Sequence, residues 1–423
     1  MLHDGYNTTA VAVVDALGTG HLLGPALRSR GVPVVHVRNH TAAFERQLQT
    51  FHAPDFTAAL DFTGDPAATA RQLRGLGVRH VLAGTESGSD TADLLATELD
   101  LPTANAPGFA AARRDKRTMH RILHEAGVAV PAQQHLDGEG RVRWQTGPLA
   151  PERPTVVKPP ASAGTDGVHV CPTAADRDAA VRSLLGAPNL FGQPNDGVVV
   201  QELLTGPEYM VNTVSVDGSH MAVEIWRSDK KLVDDAPVYD RQELQSPDAP
   251  GMPALLAYVR EVLTALGVRW GATHTEVILT DRGPLLLETG TRLPGGHDPS
   301  LSLKALGTSH LDEVVDSYLA PDAVADRGPV RPLRRHALGV SLISPTAGVL
   351  LRPLDLDPVT SLPSFHGIKL TVRAGCELPR TTGLHSKPGG LYLCHEDPAQ
   401  LERDYLAVRA WERNEFTDAV AGR

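Results

Sequence analysis

Apolar runs alternate with amphipathic stretches through the first hundred residues of the chain. Ala10–Val14 is a short apolar run that ends near Gly18–Gly20, and a helical stretch to about Arg30 precedes a second predicted strand at Val32–Val37. Further predicted elements are the βα units around Leu60–Leu76 and Arg79–Ala83 and the helical segment Ser89–Leu99. Such alternation predicts a parallel α/β sheet with right-handed crossover connections.

The glycine pair in Gly18–Gly20 invites comparison with a dinucleotide-binding loop. The sequence lacks the full GxGxxG pattern, in which glycines permit a tight turn and a close approach of the backbone to a pyrophosphate. A plain turn from strand to helix is therefore the favoured interpretation, and a cofactor loop is the alternative.

The middle of the chain has mixed patterning, and its C-terminal part is rich in proline, glycine and short apolar runs. Arg114–Ala126 has helical spacing and stops at Gly127, after which an extended segment follows. The charged segment Trp226–Lys231 favours an exposed turn, with a mobile loop over a substrate as the alternative. The C-terminal residues predict a mixed, β-rich module packed on the rest.

Composition limits the classes of partner and the number of units. The 423 residues carry 40 Lys and Arg against 50 Asp and Glu, a net charge of −10, so neither nucleic acid nor an anionic membrane is the expected partner. A chain of this length predicts two or three compact units. The three cysteines form no CxxC pair, and no long apolar stretch or signal peptide is apparent. We therefore expect a cytoplasmic protein with neither a disulfide framework nor a cysteine zinc site.

Two β-type runs around a short turn carry the strongest chemical signal. The runs His274–Thr280 and Pro284–Arg292 flank Asp281–Gly283, which predicts a hairpin with a three-residue loop and glycine in the left-handed position. Counting back along both strands from that loop places Glu276 directly across from Glu288.

Two glutamates that face each other across a hairpin repel, so structure alone disfavours the pair. A divalent cation bound between the two carboxylates would turn their repulsion into a net attraction. Mg²⁺ takes carboxylate oxygens together with phosphate oxygens and waters. Because strand side chains alternate, His274 and Arg292 fall on the same face as Glu276 and Glu288. Arg292 could then reach a phosphate or a developing oxyanion with its planar fork. The alternative is a solvated hairpin face with scattered charges.

A strand that ends in lysine and opens into a small-residue loop is a candidate for phosphate binding. Pro154–Lys158 is this strand, and backbone N–H groups of the following loop could approach phosphate oxygens closely. The loop residues concerned are Ser162, Gly164, Gly167 and Val168. Lys158 precedes the loop, so this is not the GxxxxGK[ST] motif, and a plain β-hairpin turn is the alternative.

The next apolar strand, Val198–Leu204, ends in residues that suit a nucleotide base. Gln201, Glu202 and Leu204 could offer backbone N–H and C=O groups to an adenine edge. Glu208 begins the following strand, where it could hold a ribose hydroxyl or belong to an ordinary exposed edge.

The order of these segments resembles the ATP-grasp superfamily. The pattern starts at Arg114-Asp-Lys116, where a helical lysine would by default be solvated, and continues through the lysine strand, the glycine loop, the adenine segment and the glutamate hairpin. It covers roughly residues 114–307, and the βα units before it resemble a pre-ATP-grasp domain. Within the superfamily, the chain is most similar to bacterial L-amino acid ligases of the bacilysin-synthetase type. The segments that carry this likeness are Gly84–Gly88, Gly271–Glu276 and Glu288–Gly296.

This resemblance implies an α/β and α+β architecture. An N-terminal parallel α/β pre-ATP-grasp domain (1–113) would precede two ATP-grasp lobes (114–200 and 201–310) and a C-terminal mixed, β-rich module (311–423). The metal site would lie in the second lobe. The implied ligands are ATP, Mg²⁺ with Mn²⁺ as a substitute, and small-molecule carboxylate and amine substrates. Homodimers are common among such relatives.

The resemblance also implies a role for each candidate residue. The nucleotide-binding residues would be Lys116, Lys158, Ser162, Gly164, Gly167, Val168, Gln201, Glu202, Leu204 and Glu208. Glu276 and Glu288 would ligate the metal, Arg292 would steady the acyl-phosphate and the tetrahedral intermediate, and Gly295 and Gly296 would line the amino-acid pocket. His274 could orient a substrate or accept the amine proton, or it could be a buried histidine without a chemical role. Many relatives carry asparagine at the position of Gly290, so the metal count stays open.

The implied activity is an ATP- and Mg²⁺-dependent carboxylate–amine ligase. It would form an amide or dipeptide bond through an acyl-phosphate, on amino-acid substrates of specialised metabolism such as antibiotic biosynthesis. Two alternatives stay open: another ATP-grasp ligase, of the carboxylase or purine-pathway type, and a non-catalytic ATP-binding protein. The chain contains no biotinyl-carrier Met-Lys-Met segment, which speaks against a carboxylase.

Overall fold

The computed structural model describes residues 9–39, 48–150, 152–162, 164, 166–233, 236–296 and 298–421. Three β-sheets of four or more strands dominate this part of the chain, one of them parallel and two antiparallel. The predicted α/β and α+β architecture is therefore confirmed. Among the helices of these residues, none combines the length and the apolarity that a membrane crossing requires.

The N-terminal sheet is parallel, as the alternating pattern predicts. Its elements are β1 (Ala10–Val14), α1 (Leu23–Arg28), β2 (Val34–Arg38), β3 (Ala58–Asp61), α2 (Pro66–Gly75), β4 (Val78–Ala83) and α3 (Ser89–Glu98), with the strand order β3-β2-β1-β4. Every residue of β1 is buried. Val11 and Val13 pack in one apolar cluster with Leu23, whereas Val14 packs in another with Leu95. Both faces of the sheet are therefore covered, as parallel sheets require.

The glycines of the first turn serve packing at the carboxyl edge of this sheet. Gly18–Leu22 forms a short 3₁₀ helix between β1 and α1. A Cβ on Gly20 would overlap the backbone of Gly84, which follows β4. This close approach of two loops explains why position 20 is a glycine. The sequence favours such a plain strand-to-helix turn over a cofactor loop.

The second sheet has five antiparallel strands and supplies one wall of the candidate site. Its strands are β5 (Gln133–Asp137), β6 (Val142–Gln145), β7 (Thr155–Lys158), β8 (His169–Cys171) and β9 (Gly197–Glu202), in the order β6-β5-β9-β7-β8. Helix α5 (Ala174–Leu184) packs on it through Ala180 and Leu184, which join Val157 and Val198 in an apolar cluster.

Helix α4 (Lys116–Glu125) brings a predicted site residue to this sheet. The carboxylate of Asp115 caps the helix by accepting from the N–H groups of Arg117 and Thr118. The N–H of Lys116 donates to the carbonyl of Pro160 at 2.8 Å. The start of the helix is thereby fixed beside the loop that follows β7.

The third sheet has eight antiparallel strands and carries the glutamate hairpin at one end. Its strands are β10 (Glu208–Val216), β11 (Ser219–Val233), β12 (Ala236–Leu244), β13 (Gly271–Thr280), β14 (Gly283–Gly290), β15 (His336–Ser341), β17 (Phe365–Leu370) and β19 (Gly389–His395), in the order β14-β13-β10-β11-β12-β15-β19-β17. Helix α6 (Met252–Ala265) covers the hairpin, where Leu255 and Val259 pack with Val277 and Leu286. The same sheet thus runs from the candidate metal site into the C-terminal residues.

The remaining elements lie around the C-terminal half of this sheet. They are α7 (Pro299–Leu306), α8 (His310–Leu319), α9 (Pro321–Asp326), β16 (Gly348–Val349), α10 (Asp357–Thr360), β18 (Glu377–Leu378) and α11 (Pro398–Ala421). The exposed turn expected at Trp226–Lys231 is wrong, because this segment continues β11 and Trp226 is only 1% exposed. The charged residues of this segment belong to a strand that passes beside a polar cavity, and they do not indicate the end of that strand.

Candidate active site

The glutamate hairpin of β13 and β14 places Glu276 opposite Glu288, as predicted. The three-residue loop expected from the sequence is wrong, because Thr280 pairs with Gly283 and only two residues form the turn. One additional residue, Leu287, bulges from β14 beside Glu288 and restores the register. The shorter turn and the bulge cancel, so the expected pairing of the glutamates is still formed.

The bulge also supplies a carbonyl to the neighbouring sheet. Lys158 at the end of β7 donates from Nζ to the carbonyl oxygen of Leu287 at 3.4 Å. Lys158 is buried, and this burial, together with the positive charge of Lys116, lowers its pKa to about 8. The predicted phosphate lysine is therefore held above the glutamate hairpin.

Lys116 links the helix, the loop and the hairpin. Its Nζ lies 2.6 Å from Oε2 of Glu288 and donates to the carbonyl oxygen of Ser162 at 3.2 Å. Burial opposes its charge, but the carboxylate of Glu288 outweighs burial and raises the pKa of Lys116. The default expectation of a solvated helical lysine is wrong, since Lys116 is buried at the centre of the site.

A cavity of about 260 Å³ lies between the five-stranded and the eight-stranded sheets. The predicted residues on its wall are Lys116, Lys158, Ser162, Gly164, Val168, Gln201, Glu202, Leu204, Glu208, Glu276 and Glu288. Apolar residues that the sequence did not single out also lie on this wall, among them Val156, Val170, Leu203 and Ile278. An apolar wall with charged groups at one end suits a base and its phosphates.

Three predicted glycines lie away from this cavity. Gly167 has a φ of +65°, and a Cβ there would lie 2.8 Å from Cγ of Pro159, so this glycine serves the turn of the loop. Gly295 and Gly296 are exposed, and the carbonyl of Gly296 accepts a hydrogen bond from the hydroxyl of Tyr392 at 3.1 Å. Their assignment to a substrate pocket stays a prediction.

A smaller cavity adjoins the first, and Lys116, Ser162 and Glu288 line both. Arg292 lies on its wall, and its Nε donates to Oε2 of Glu86 at 2.8 Å. The sequence did not single out Glu86 as a site residue. The two cavities therefore meet at Lys116, Ser162 and Glu288, with the nucleotide candidates on one side and the arginine–glutamate pair on the other.

Solved structures and a curated relative resemble this chain over nearly its whole length. The fold matches that of the L-amino acid ligase from Bacillus licheniformis with a TM-score of 0.75 at 18% identity, over 96% of this chain and 98% of that one. N5-carboxyaminoimidazole ribonucleotide synthetase from Thermus thermophilus matches with a TM-score of 0.63 at 15% identity, over 95% and 98%. Dapdiamide A synthase from Enterobacter agglomerans is 31% identical over 416 residues, 95% of this chain and 96% of that enzyme.

The chain belongs to the ATP-grasp ligases. It is a carboxylate–amine ligase of this superfamily, which uses ATP and a divalent metal ion on small-molecule substrates. No protein-family model matches its sequence. The resemblance inferred from motif order is therefore confirmed, whereas the roles of individual residues depend on the geometry of the site.

In the ligase, His274 is buried and both of its ring nitrogens have neighbours. Nδ1 lies 2.7 Å from Oδ1 of Asn212, whose amide nitrogen donates to Glu224 at 2.7 Å. Nε2 lies 3.2 Å from Oε1 of Glu276. Burial and the positive charge of Arg292 lower the pKa of His274 to about 3, so the ring is neutral at neutral pH. These contacts favour a positioning role toward Glu276 over direct proton transfer.

The charges around the facing glutamates suit a bound cation. Burial and the nearby Glu288 carboxylate raise the pKa of Glu276 to about 7. Burial acts the same way on Glu288, but the ammonium of Lys116 outweighs it and lowers the pKa of Glu288 to about 2. Within the described ranges, no cluster of three or more His, Cys, Asp or Glu side chains could hold a metal ion. Two carboxylate ligands from the protein fit Mg²⁺, because this ion fills its other coordination positions with water molecules and phosphate oxygens.

Lys230 is a cavity residue that sequence reasoning missed. Its Nζ lies 2.7 Å from Oε2 of Glu208 and 4.7 Å from the centre of the Tyr239 ring. Burial raises the pKa of Glu208, although the ammonium of Lys230 partly opposes this. The predicted contact of Glu208 with a ribose stays a prediction, and in the structure its carboxylate is paired with Lys230.

In the predicted adenine-binding segment, the backbone N–H of Leu204 is available to a ligand. The N–H of Glu202 donates to the carbonyl of Ala132 at 2.9 Å, and the N–H of Leu203 donates to that of Pro154 at 3.1 Å. The N–H of Leu204 has no hydrogen-bond partner among the residues that the structure describes. The side chain of Glu202 accepts from Ala132 and from Arg282, which fixes the strand end, and its contact with adenine stays a prediction.

Gly290, where many relatives carry asparagine, lies against the arginine–glutamate pair. A Cβ at this position would lie 3.0 Å from Oε2 of Glu86 and 3.8 Å from Nε of Arg292. Glycine therefore leaves room for the Glu86 carboxylate where a larger residue would crowd it. The Glu86 carboxylate thus lies where the side chain of a larger residue at position 290 would begin.

We expect Gly290→Asn to lower kcat/KM by about tenfold to a hundredfold, because a displaced ion pair misplaces the substrate by a fraction of an ångström or more. Steady-state kinetics and the melting temperature should be measured beside Gly147→Ala, a glycine with open space around it. Unchanged kinetics in Gly290→Asn would contradict the crowding of Glu86.

Proposed function

We propose that this ligase uses ATP and Mg²⁺ to join the carboxylate of one amino-acid substrate to the amine of another through an acyl-phosphate. The observation that carries the proposal is the facing pair Glu276 and Glu288, of which both line the larger cavity and Glu288 also lines the smaller one. The larger cavity would hold ATP with its phosphates toward this junction. Arg292, held by Glu86 on the wall of the smaller cavity, would contact the substrate carboxylate. The similarity of the chain to dapdiamide A synthase and to an L-amino acid ligase supports amino-acid substrates in specialised metabolism.

The first step would be attack of the substrate carboxylate on the γ-phosphoryl group of ATP. Glu276 and Glu288 would hold the metal ion, which neutralises charge on the triphosphate when it is bound. Lys158 and Lys116 lie on the same wall, so their ammonium groups would contact the phosphates and align them. ADP is the leaving group as the acyl-phosphate forms.

The second step would be attack of the amine on the acyl-phosphate, with loss of inorganic phosphate. The guanidinium of Arg292 would stabilise the oxyanion of the tetrahedral intermediate. The Glu86 carboxylate fixes that guanidinium through the 2.8 Å hydrogen bond to Nε. His274 would hold Glu276 in place by donating from Nε2 to Oε1 of that carboxylate. No covalent enzyme intermediate is required.

The direct test is release of inorganic phosphate from ATP and Mg²⁺ with amino acids offered singly and in pairs. Release that requires a particular pair, with the matching dipeptide found by mass spectrometry, supports the proposal. Release that requires bicarbonate would instead indicate a carboxylase-type ligase. ATP binding without release, whatever the substrate, would indicate a non-catalytic protein.

Removal of divalent metal is expected to abolish this phosphate release, since two facing carboxylates cannot otherwise receive a triphosphate. Activity should return on adding Mg²⁺ and also on adding Mn²⁺, because both accept oxygen ligands. The measurement is the rate after chelation and metal replacement, with a potassium salt of equal ionic strength as the control. Full activity in the presence of excess chelator would contradict the metal assignment.

A further inference from the structure

Arg114 is a charged residue of the smaller cavity that the mechanism above does not use. It lies two residues before Lys116, and its side chain is 14% exposed. Its Nη1 donates to the carboxylate of Asp90. Nε and Nη2 are buried, and neither has a hydrogen-bond partner among the described residues.

The neighbouring Arg113 has the contacts expected of an arginine that serves structure alone. Its Nε and Nη2 donate to Asp93 at 3.0 and 2.7 Å, and its Nη1 donates to the carbonyls of Ala106 and Leu266. Its whole fork is thus satisfied. A buried guanidinium edge without acceptors is destabilising, so a role limited to holding Asp90 does not account for Arg114.

Packing fixes the plane of the Arg114 guanidinium. Its central carbon lies 5.0 Å from the centre of the Phe191 ring. The preceding Asn189 donates from its side chain to the carbonyl of Ala161 at 2.9 Å, which ties this segment to the glycine loop. The guanidinium is therefore held between Asp90 and Phe191, its Nε and Nη2 lack hydrogen-bond partners among the described residues, and Arg114 lies on the wall of the smaller cavity.

We propose that the Nε–Nη2 edge of Arg114 binds an oxyanion of the reaction. Two parallel N–H groups on one guanidinium edge match two oxygens of a carboxylate or of a phosphoryl group. Both sources are present at this place if the proposed function holds, on which this inference rests: the phosphoryl group in transfer and the substrate carboxylate that receives it. Ser162 and Lys116 line the cavity with Arg114, so the edge lies next to the phosphate end of the nucleotide site.

The test uses Arg114→Met, which removes the fork, and Arg114→Lys, which keeps the charge without the fork. Arg117→Met is the control, because Arg117 lies three residues further along the chain and is already paired with Asp115 and Asp196. Titration calorimetry gives the Kd of Mg-ADP and of the non-hydrolysable Mg-AMP-PNP. Phosphate release with the active amino-acid pair gives the KM of the carboxylate substrate.

A phosphoryl source predicts that both Arg114 variants weaken AMP-PNP by about tenfold and leave ADP unchanged. A carboxylate source predicts unchanged nucleotide affinities and a KM for the carboxylate raised by about tenfold. The inference is overturned if the Arg114 variants match Arg117→Met in all of these measurements. It is also overturned if ADP and AMP-PNP weaken equally together with a lower Tm, the result for a structural residue. The nucleotide titrations need no turnover. Failure to find an active substrate pair would therefore count against the proposed function and not against the nucleotide part of this inference.

Discussion

Replacing Glu288 with glutamine is expected to abolish turnover while the chain still folds. The change keeps the shape of the side chain but removes one of two carboxylates that would hold the metal, and it leaves Lys116 without its partner at 2.6 Å. We expect kcat to fall by at least about a thousandfold, which is at the upper end of the effect of losing one preorganised charge. Phosphate release under saturating substrates is the measurement.

Two controls separate a chemical effect of Glu288→Gln from a structural one. Glu261→Gln makes the same chemical change on an exposed position of α6, and it should retain full activity. The melting temperature of Glu288→Gln should stay within a few degrees of the parent protein, since removal of the repulsion from Glu276 offsets part of the lost pairing with Lys116. A fully active Glu288→Gln enzyme would rule out the metal assignment.

Arg292→Met is expected to lower kcat by about a hundredfold to a thousandfold, with a smaller change in KM for ATP. The guanidinium lies in the smaller cavity away from the nucleotide wall, so its loss should affect the oxyanion and not the binding of the base. Arg292→Lys should recover only part of the rate, because an ammonium cannot reproduce the planar fork that Glu86 orients. Steady-state kcat and KM values for all three proteins decide this.

A double replacement tests whether Arg292 acts only by neutralising Glu86. If the pair were purely structural, combining Glu86→Gln with Arg292→Met would restore the rate of the parent enzyme. The double variant removes both charges, so no unpaired charge is left in the site. We expect no such recovery. A rate of the double variant near that of the parent enzyme would contradict the oxyanion role of Arg292.

Strand alternation was sufficient to predict the centre of the site. His274 and Glu276 could be placed on one face with Glu288 because period-two geometry is local and robust, whereas Arg292 lies beyond the end of β14 at Gly290. The one-residue bulge at Leu287 was not predictable, since a bulge depends on contacts from another sheet, here the hydrogen bond from Lys158. The correct pairing of the glutamates therefore followed from a loop one residue too long and a bulge that had not been foreseen.

The residues that escaped prediction are those whose partners lie far away in sequence. Glu86 meets Arg292 across 206 positions of the chain. Lys230 reaches Glu208 from a segment whose charge content favoured an exposed turn. Neither pairing follows from local spacing, and only the three-dimensional packing of the sheets brings these groups together. The likeness of Gly84–Gly88 to a known ligase segment was the single hint toward Glu86.

Lys116 is the opposite case, a residue that was predicted although its local sequence gave no reason for it. The order of the motifs pointed to Lys116, whereas its position on an amphipathic helix did not. A lysine in the first turn of an amphipathic helix is usually exposed. Here the helix cap at Asp115 and the contact with Pro160 hold the start of α4 against the glycine loop. Lys116 is thereby turned inward onto Glu288, and the reason lies in the tertiary contacts of the helix end.

The continuous eight-stranded sheet has a practical consequence for dividing this enzyme. Strand β12 pairs with β15 through Arg241–Glu243, so cutting the chain near residue 311 would expose a new sheet edge in the middle of the molecule. Unpaired strand edges invite aggregation. Helix α11 adds a second bond across the cut, because Arg409 and Tyr405 both contact Asp240. Truncated or chimeric ligases should therefore keep the eight-stranded sheet whole.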